Sequence, residues 1–161
     1  ALVLSPGDPE LLIELARSHY ALSDYERAAA IAGSLLDRAP DVPGLLALRG
    51  EALLQLQRLD EAAPLLERAI AADPRDPSAR ASLGRLFVQQ GRHDRAIPLL
   101  EPLLAADEDG SLHLQLARAY QGTNQRDKAV PLLERAQALQ QAAEARTAGA
   151  TGAKITPPGP G

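Results

Sequence analysis

The chain has 161 residues, of which 45% are hydrophobic and 24% charged, a composition typical of a folded, soluble protein. Its formal net charge of −4 argues against nucleic-acid binding as the main role, because that role needs a basic surface. It has no cysteine, which excludes disulfides, thiolate metal sites and cysteine nucleophiles, and no apolar run approaches the roughly 18 residues that a membrane span needs.

Aromatic residues make up only 2% of the chain, so we predict a core of leucine and alanine, which favours closely packed helices. The preference for arginine over lysine, with abundant alanine, indicates a bacterial source. The compartment stays open between cytoplasm and periplasm, since a chain without cysteine suits both. Residue 1 is not methionine, so we expect further sequence upstream.

Segments along the chain repeat one another. The opening ALVLSPGD, residues 1–8, is similar to AIAADPRD at residues 69–76, so it is interpreted as the end of a preceding unit. Units of about 34 residues follow, each with two apolar stripes at helical spacing separated by a short polar turn. These predicted repeats are 9–42, 43–76, 77–109 and 110–146, the last with an extended final helix. Residues 147–161 are rich in glycine and proline and are predicted to form a flexible tail.

Small residues recur in register through these units. One series shares a position in the first helix of each unit, and it consists of Ala16, Gly50, Gly84 and Ala117. A second series shares a position in the second helix, and it consists of Ala28, Ala62, Ala96 and Ala129. Such positions let two antiparallel helices approach closely, so a larger side chain there would overpack the contact.

With these two series, the units resemble the tetratricopeptide repeat, which has small residues at its eighth position and alanine at its twentieth. Its eleventh position is matched by His19, Leu53, Phe87 and Tyr120, and its closing proline by Pro40 and Pro74. The resemblance covers roughly residues 1–143. It implies an all-α fold, a right-handed α-solenoid of antiparallel helix pairs that forms a superhelix. Arg49 departs from the pattern, which usually has leucine there.

The prolines of the second helices predict local structure. Pro64, Pro98 and Pro131 are expected in about the first turn of their helices, where proline is tolerated. Pro102 lies four residues beyond Pro98, so it is expected to kink or break its helix because it removes a backbone donor.

No catalytic or metal-binding constellation is visible. His19, His93 and His113 fall where the repeat packs side chains, and no His-x-x-x-His pair occurs. The acidic turn at residues 107–109 lacks the spaced oxygen ligands of a calcium loop. We therefore predict a protein that is not an enzyme and that needs no metal or cofactor.

The resemblance implies that the first helices line a concave groove in which a peptide binds. Arginine pairs with carboxylates, and glutamine bonds a peptide backbone, so both residue types suit such a groove. The positions that the resemblance places there are Ile13, Arg17, Tyr20, Glu51, Leu54, Gln55, Arg85, Val88, Gln89, Leu114, Arg118 and Gln121.

The favoured function is a non-catalytic scaffold that binds a protein or peptide partner, without nucleic-acid binding or membrane insertion. One alternative is a repeat segment of a larger enzyme or assembly factor whose functional domain lies upstream. Another is a module that associates with copies of itself into a homo-oligomer.

Overall fold

The structure is a computed structural model that describes residues 9–152, with side chains as far as residue 149. The regular elements of that range are α-helices and a 3₁₀ helix. The chain divides into two compact units, Ala1–Gln90 and Gly91–Gly161, so the boundary falls inside the third predicted repeat. The predicted end of a preceding unit, 1–8, and residues 153–161 of the predicted tail lie outside the described residues.

The first unit consists of consecutive helices that pack against their neighbours in the chain. They are α1 (Pro9–Ala21), α2 (Tyr25–Leu36), α3 (Pro43–Gln55), α4 (Leu59–Ala72) and α5 (Pro77–Gln89). Proline occupies the first position of α1, α3 and α5, where its missing N–H costs no hydrogen bond. In addition to its sequence neighbours, α3 contacts α1 and α5, so these three helices lie side by side.

The second unit contains α6 (His93–Leu100), a 3₁₀ helix (Glu101–Ala106), α7 (Ser111–Gly122) and α8 (Arg126–Gly152). The helix break predicted at Pro102 is confirmed, because α6 ends at Leu100 and the chain continues as the 3₁₀ helix. Both α6 and α8 pack against α7. The Tyr120 hydroxyl on α7 donates a hydrogen bond to the Glu101 carboxylate.

The predicted register of small residues is confirmed by burial. Ala16, Ala28 and Ala62 in the first unit and Ala96 and Ala117 in the second have no exposed surface. Gly50 and Gly84 are buried as well, and Ala129 is 1% exposed. A Cβ atom placed on Gly50 of α3 would lie 2.7 Å from Cγ of Leu66 on α4, closer than carbon atoms pack. The absence of a side chain at Gly50 therefore sets the spacing of these two helices.

A left-handed residue ends the first helix at each predicted turn between paired helices. The four positions, again in register, are Ser23 (φ 62°), Gln57 (φ 60°), Gly91 (φ 71°) and Asn124 (φ 61°). At three of the turns, the next residue donates its N–H to a carbonyl five residues earlier, a common helix C-cap. These bonds are Asp24 to His19 at 2.8 Å, Arg58 to Leu53 at 2.9 Å and Gln125 to Tyr120 at 2.8 Å.

The departure at Arg49 is accommodated by a glycine on a neighbouring helix. Arg49 of α3 is partly buried, and its guanidinium lies against Gly33 of α2. A Cβ atom on Gly33 would be 3.0 Å from Cζ of Arg49, so a side chain there would push the guanidinium away. Arginine thus fills the position that holds leucine in the family pattern without disrupting the contact between α2 and α3.

The other prolines lie further into their helices than predicted. Pro64, Pro98 and Pro131 are each the sixth residue of α4, α6 and α8, which places them in the second turn. The helices continue through them, although proline cannot donate the bond to the carbonyl four residues earlier.

The boundary predicted at residue 146 is also corrected, since α8 continues to Gly152. Residues 137–149 contain mainly alanine and glutamine, which favour helix and prolong it beyond the apolar stripe. Within this extension, Nη2 of Arg146 donates to the Glu108 carbonyl at 3.0 Å. Residues 147–152, which were predicted to belong to the tail, are therefore helical.

Asp107 fixes the start of α7. Its carboxylate, which is buried, accepts bonds from the Gly110 N–H at 3.1 Å and the His113 N–H at 2.9 Å. The Nδ1 atom of His113 lies 2.6 Å from the same carboxylate. The acidic turn predicted from the sequence is thus a helix-capping turn, and His113 is held by it.

Candidate functional site

Side chains of α1, α3 and α5 form one surface of the first unit, on the helices that lie side by side. We call this surface the first-helix face. It is defined by Arg17, Tyr20, Glu51, Gln55, Ser78, Ser82 and Arg85. Arg17 and Gln55 are exposed, whereas Tyr20, Glu51 and Arg85 are partly buried.

A chain of hydrogen bonds joins α5 to α3 across this face. The Ser78 hydroxyl donates to Oε1 of Glu51 at 2.5 Å, and the Ser82 hydroxyl donates to the same atom at 3.4 Å. Nη2 of Arg85 donates to the Ser82 hydroxyl at 3.2 Å. The Nε atom of Arg85 is buried without a hydrogen-bond partner, so the guanidinium is not fully satisfied within the protein.

The pKa of Tyr20 depends on the burial and the charges of this region. Burial raises the pKa of Tyr20 above its ordinary value, and the negative charge of Glu51 raises it further. A hydrogen bond with the Gln55 side chain and the positive charge of Arg85 oppose the shift. Tyr20 and Tyr25 also pack edge to face, with ring centroids 5.3 Å apart, which fixes the tyrosine at the border of the face.

The structure brings several predicted groove residues of the first unit together and removes one from the surface. Arg17 and Glu51 line the same cavity, and Ile13 packs partly buried against the core. Leu54 is only 3% exposed, so it packs in the core and is not available to a partner. On α5, Val88 is partly buried and Gln89 is exposed.

The remaining predicted residues lie on α7 in the second unit. Leu114 is partly buried, while Arg118 and Gln121 are exposed. Gln121 lines a cavity of about 370 Å³ with Arg126, Ala129 and Val130 of α8. Gln121 therefore faces the junction of α7 and α8.

The resemblance also places Ser78 of the first unit in the groove, whereas Ser82 and Asp76 were not predicted to contribute. Ser82 is 1% exposed yet bonded to the face, and Asp76 lines the same cavity as Glu51. The spacing of about one repeat between Glu51 and Ser82 was the only available signal, since equivalent positions on adjacent first helices lie near each other.

The histidines make structural contacts. Nδ1 of His19 lies 3.2 Å from the Asp24 carboxylate, and the ring of His93 lies against Gly122. Within residues 9–152, no three acidic or histidine side chains come together as a metal site would require. Among the helices of the same range, none combines the length and the hydropathy needed to cross a membrane.

Comparison with protein families supports the repeat assignment. Two tetratricopeptide repeat models match the chain, one over residues 53–113 and 87–151 and the other over residues 13–77. The chain belongs to the tetratricopeptide repeat family. The predicted all-α fold of antiparallel helix pairs is therefore confirmed, and this repeat is a protein-interaction module. No curated protein sequence matches the chain.

Solved structures of MamA share the fold of this repeat protein. A MamA structure labelled AMB-1 has a TM-score of 0.69 at 25% identity and covers 83% of this chain and 74% of that chain. A second MamA structure, labelled MSR-1, has a TM-score of 0.69 at 24% identity and covers 88% of this chain and 83% of that chain. Another MamA crystal structure has a TM-score of 0.72 at 21% identity and covers 87% of this chain and 82% of that chain.

Proposed function

We propose that this protein is a scaffold that binds an extended segment of a protein partner on the first-helix face. Membership of the tetratricopeptide repeat family makes a protein the expected partner. The observation that carries the finer proposal is the bonded chain of polar side chains from Arg85 through Ser82 to Glu51. A polar network on one face of adjacent helices suits recognition better than scattered, solvated side chains would.

An extended peptide needs partners for its backbone N–H and C=O groups when it leaves water. The exposed amides of Gln55 and Gln89 supply both donors and acceptors on neighbouring helices. The exposed guanidinium of Arg17, whose nearest carboxylate is Glu14 at 3.9 Å, supplies charged donors for a carboxylate of the partner. Ala47, which lines the same cavity as Arg17, is buried.

Peptide selection tests this function. A random peptide library is displayed against the immobilised protein, and the affinities of enriched peptides are measured by fluorescence anisotropy. The double substitution Gln55→Ala with Gln89→Ala should weaken binding about tenfold, because it removes two hydrogen-bonding groups of the face.

The matched control is Gln137→Ala with Gln140→Ala, which removes two exposed amides from α8. This control should bind the peptides as the parent protein does. A library that yields no enriched peptide, or peptides that bind both double variants equally, would contradict the proposal.

A further inference from the structure

A cavity of about 270 Å³ opens on the first-helix face between α1, α3 and the start of α5. Its lining combines charged, polar and apolar residues. They are Arg17, Gly44, Ala47, Leu48, Glu51, Asp76 and Ser78. Ala47 and Leu48 are buried, and a Cβ atom on Gly44 would meet nothing within 4 Å.

Glu51 is a partly buried carboxylate in this cavity. Through the Ser82 hydroxyl it is linked to the guanidinium of Arg85, but no cation pairs with it directly. Its Oε1 atom accepts hydrogen bonds from the neutral hydroxyls of Ser78 and Ser82. In the part of the chain that the structure describes, no ion pair includes Glu51. Arg17 lies at the edge of the cavity, but its side chain is 62% exposed and its nearest carboxylate is Glu14.

Asp76 adds a second negative charge to the same cavity. Its Oδ1 atom accepts bonds from the N–H groups of Ser78 at 2.8 Å and Ala79 at 3.3 Å, so it is held in place as the N-cap of α5. The charged residues that line the cavity are therefore two carboxylates and one exposed guanidinium, a net formal charge of −1, while Arg85 lies outside the lining and reaches Glu51 through Ser82.

We propose that this cavity is a subsite for a lysine or arginine side chain of the bound peptide, with Glu51 as its ion partner. The inference rests on the proposed function and names the chemistry of the segment that is bound. A carboxylate that has already lost part of its hydration adds less to the desolvation penalty of pairing, and its attraction for a cation is stronger than in bulk water. The apolar walls at Ala47 and Leu48 suit the methylene stem of such a side chain.

The test is a double-mutant cycle on peptides selected from the library against the parent protein. We expect one peptide position to be enriched in lysine or arginine. Replacing that residue by methionine, which keeps a linear apolar stem, should weaken binding to the parent about tenfold. The same replacement should change binding to Glu51→Gln less than about twofold, because the partner charge is already absent.

Glu26→Gln is the matched control, since Glu26 is an exposed carboxylate on α2 away from the cavity. With this variant, the peptide replacement should again weaken binding about tenfold. The measurement of both peptides on the parent protein needs no protein variant, so it decides the charge preference even where Glu51→Gln fails to fold.

The outcomes separate the two proposals. If peptides bind and depend on Gln55 and Gln89, but show no basic position coupled to Glu51, the subsite is overturned and the proposed function stands. If the library yields no peptide at all, both are overturned. A basic position whose replacement affects the parent and Glu51→Gln equally also overturns the subsite.

Discussion

Individual residues in the turns hold a backbone conformation that most side chains disfavour. Ser23, Gln57 and Asn124 adopt the left-handed conformation that Gly91 adopts at the equivalent position. For residues such as Ser23 and Gln57, this conformation costs roughly 1–2 kcal/mol, whereas glycine and asparagine tolerate it better. This conformation was hard to predict from the sequence, because glycine, its usual marker, occurs at only one of the four positions.

This strain predicts that Gln57→Gly stabilises the protein. The relief of the left-handed strain exceeds the entropy that glycine loses on folding, about 0.5–1 kcal/mol, so the net gain in unfolding free energy should reach up to about 1 kcal/mol. Urea denaturation measures it. Ala30→Gly, at an exposed site within α2, is the control and should destabilise by about 0.5–1 kcal/mol. A loss of stability in both variants would refute the strain at Gln57.

Asp107 makes the stability of the fold depend on pH in the acidic range. Burial raises the pKa of Asp107, but the hydrogen bonds from the side chain and backbone of His113, together with that from the Leu112 backbone, outweigh it and hold the pKa below its ordinary 3.8. A carboxyl group with a lowered pKa stabilises the fold above its unfolded pKa, and this contribution is lost as the pH falls through the folded pKa.

We therefore expect Asp107→Asn to unfold at lower urea concentration than the parent near neutral pH. The difference between the two proteins should shrink as the pH falls below about 4, because the parent carboxylate then becomes protonated. Asp37→Asn, at an exposed carboxylate that ends α2, should change stability by no more than about 0.5 kcal/mol. A gap between parent and Asp107→Asn that stays constant into strong acid would rule out this role.

Within α3, the packing around two glycines decides how an added methyl group changes the stability of the protein. A Cβ atom on Gly50 would lie 2.7 Å from Leu66, whereas one on Gly44 would meet nothing. Gly50→Ala should therefore destabilise the protein, because an overpacking cost of about 1–3 kcal/mol exceeds the helix gain of about 0.5–1 kcal/mol. Gly44→Ala should stabilise it by that gain alone. Thermal melts compare them, and equal shifts would contradict the close contact of α3 with α4.

The elements were predictable where a strong local rule applied. Proline at the start of α1, α3 and α5 and the break at Pro102 both follow from its fixed φ and missing donor. The end of α8 was placed too early, because glycine in the sequence suggested a tail while alanine and glutamine sustain the helix to Gly152. Helix ends depend on a balance of small propensities, which makes them the hardest boundaries to assign.

For the whole molecule, the sequence by itself determined the repeat architecture. Small residues recurring about every 34 positions specify where helices must approach each other, and this rule needs no tertiary information. The repeat pattern also predicted groove residues on the first helices. Five of them contribute to the first-helix face, and they are Arg17, Tyr20, Glu51, Gln55 and Arg85.

Only the tertiary structure decided which of those groove positions are available and what charge they present. Leu54 is buried, and Glu51 accepts hydrogen bonds from Ser78 and Ser82 of the next first helix and forms no direct ion pair. The repeat pattern fixes which residues share a helix face, but burial and pairing depend on side chains that other helices contribute. The cavity beside Arg17, with Glu51 and Asp76 in its lining, is therefore a property of the packed helices, which no single repeat carries in its sequence.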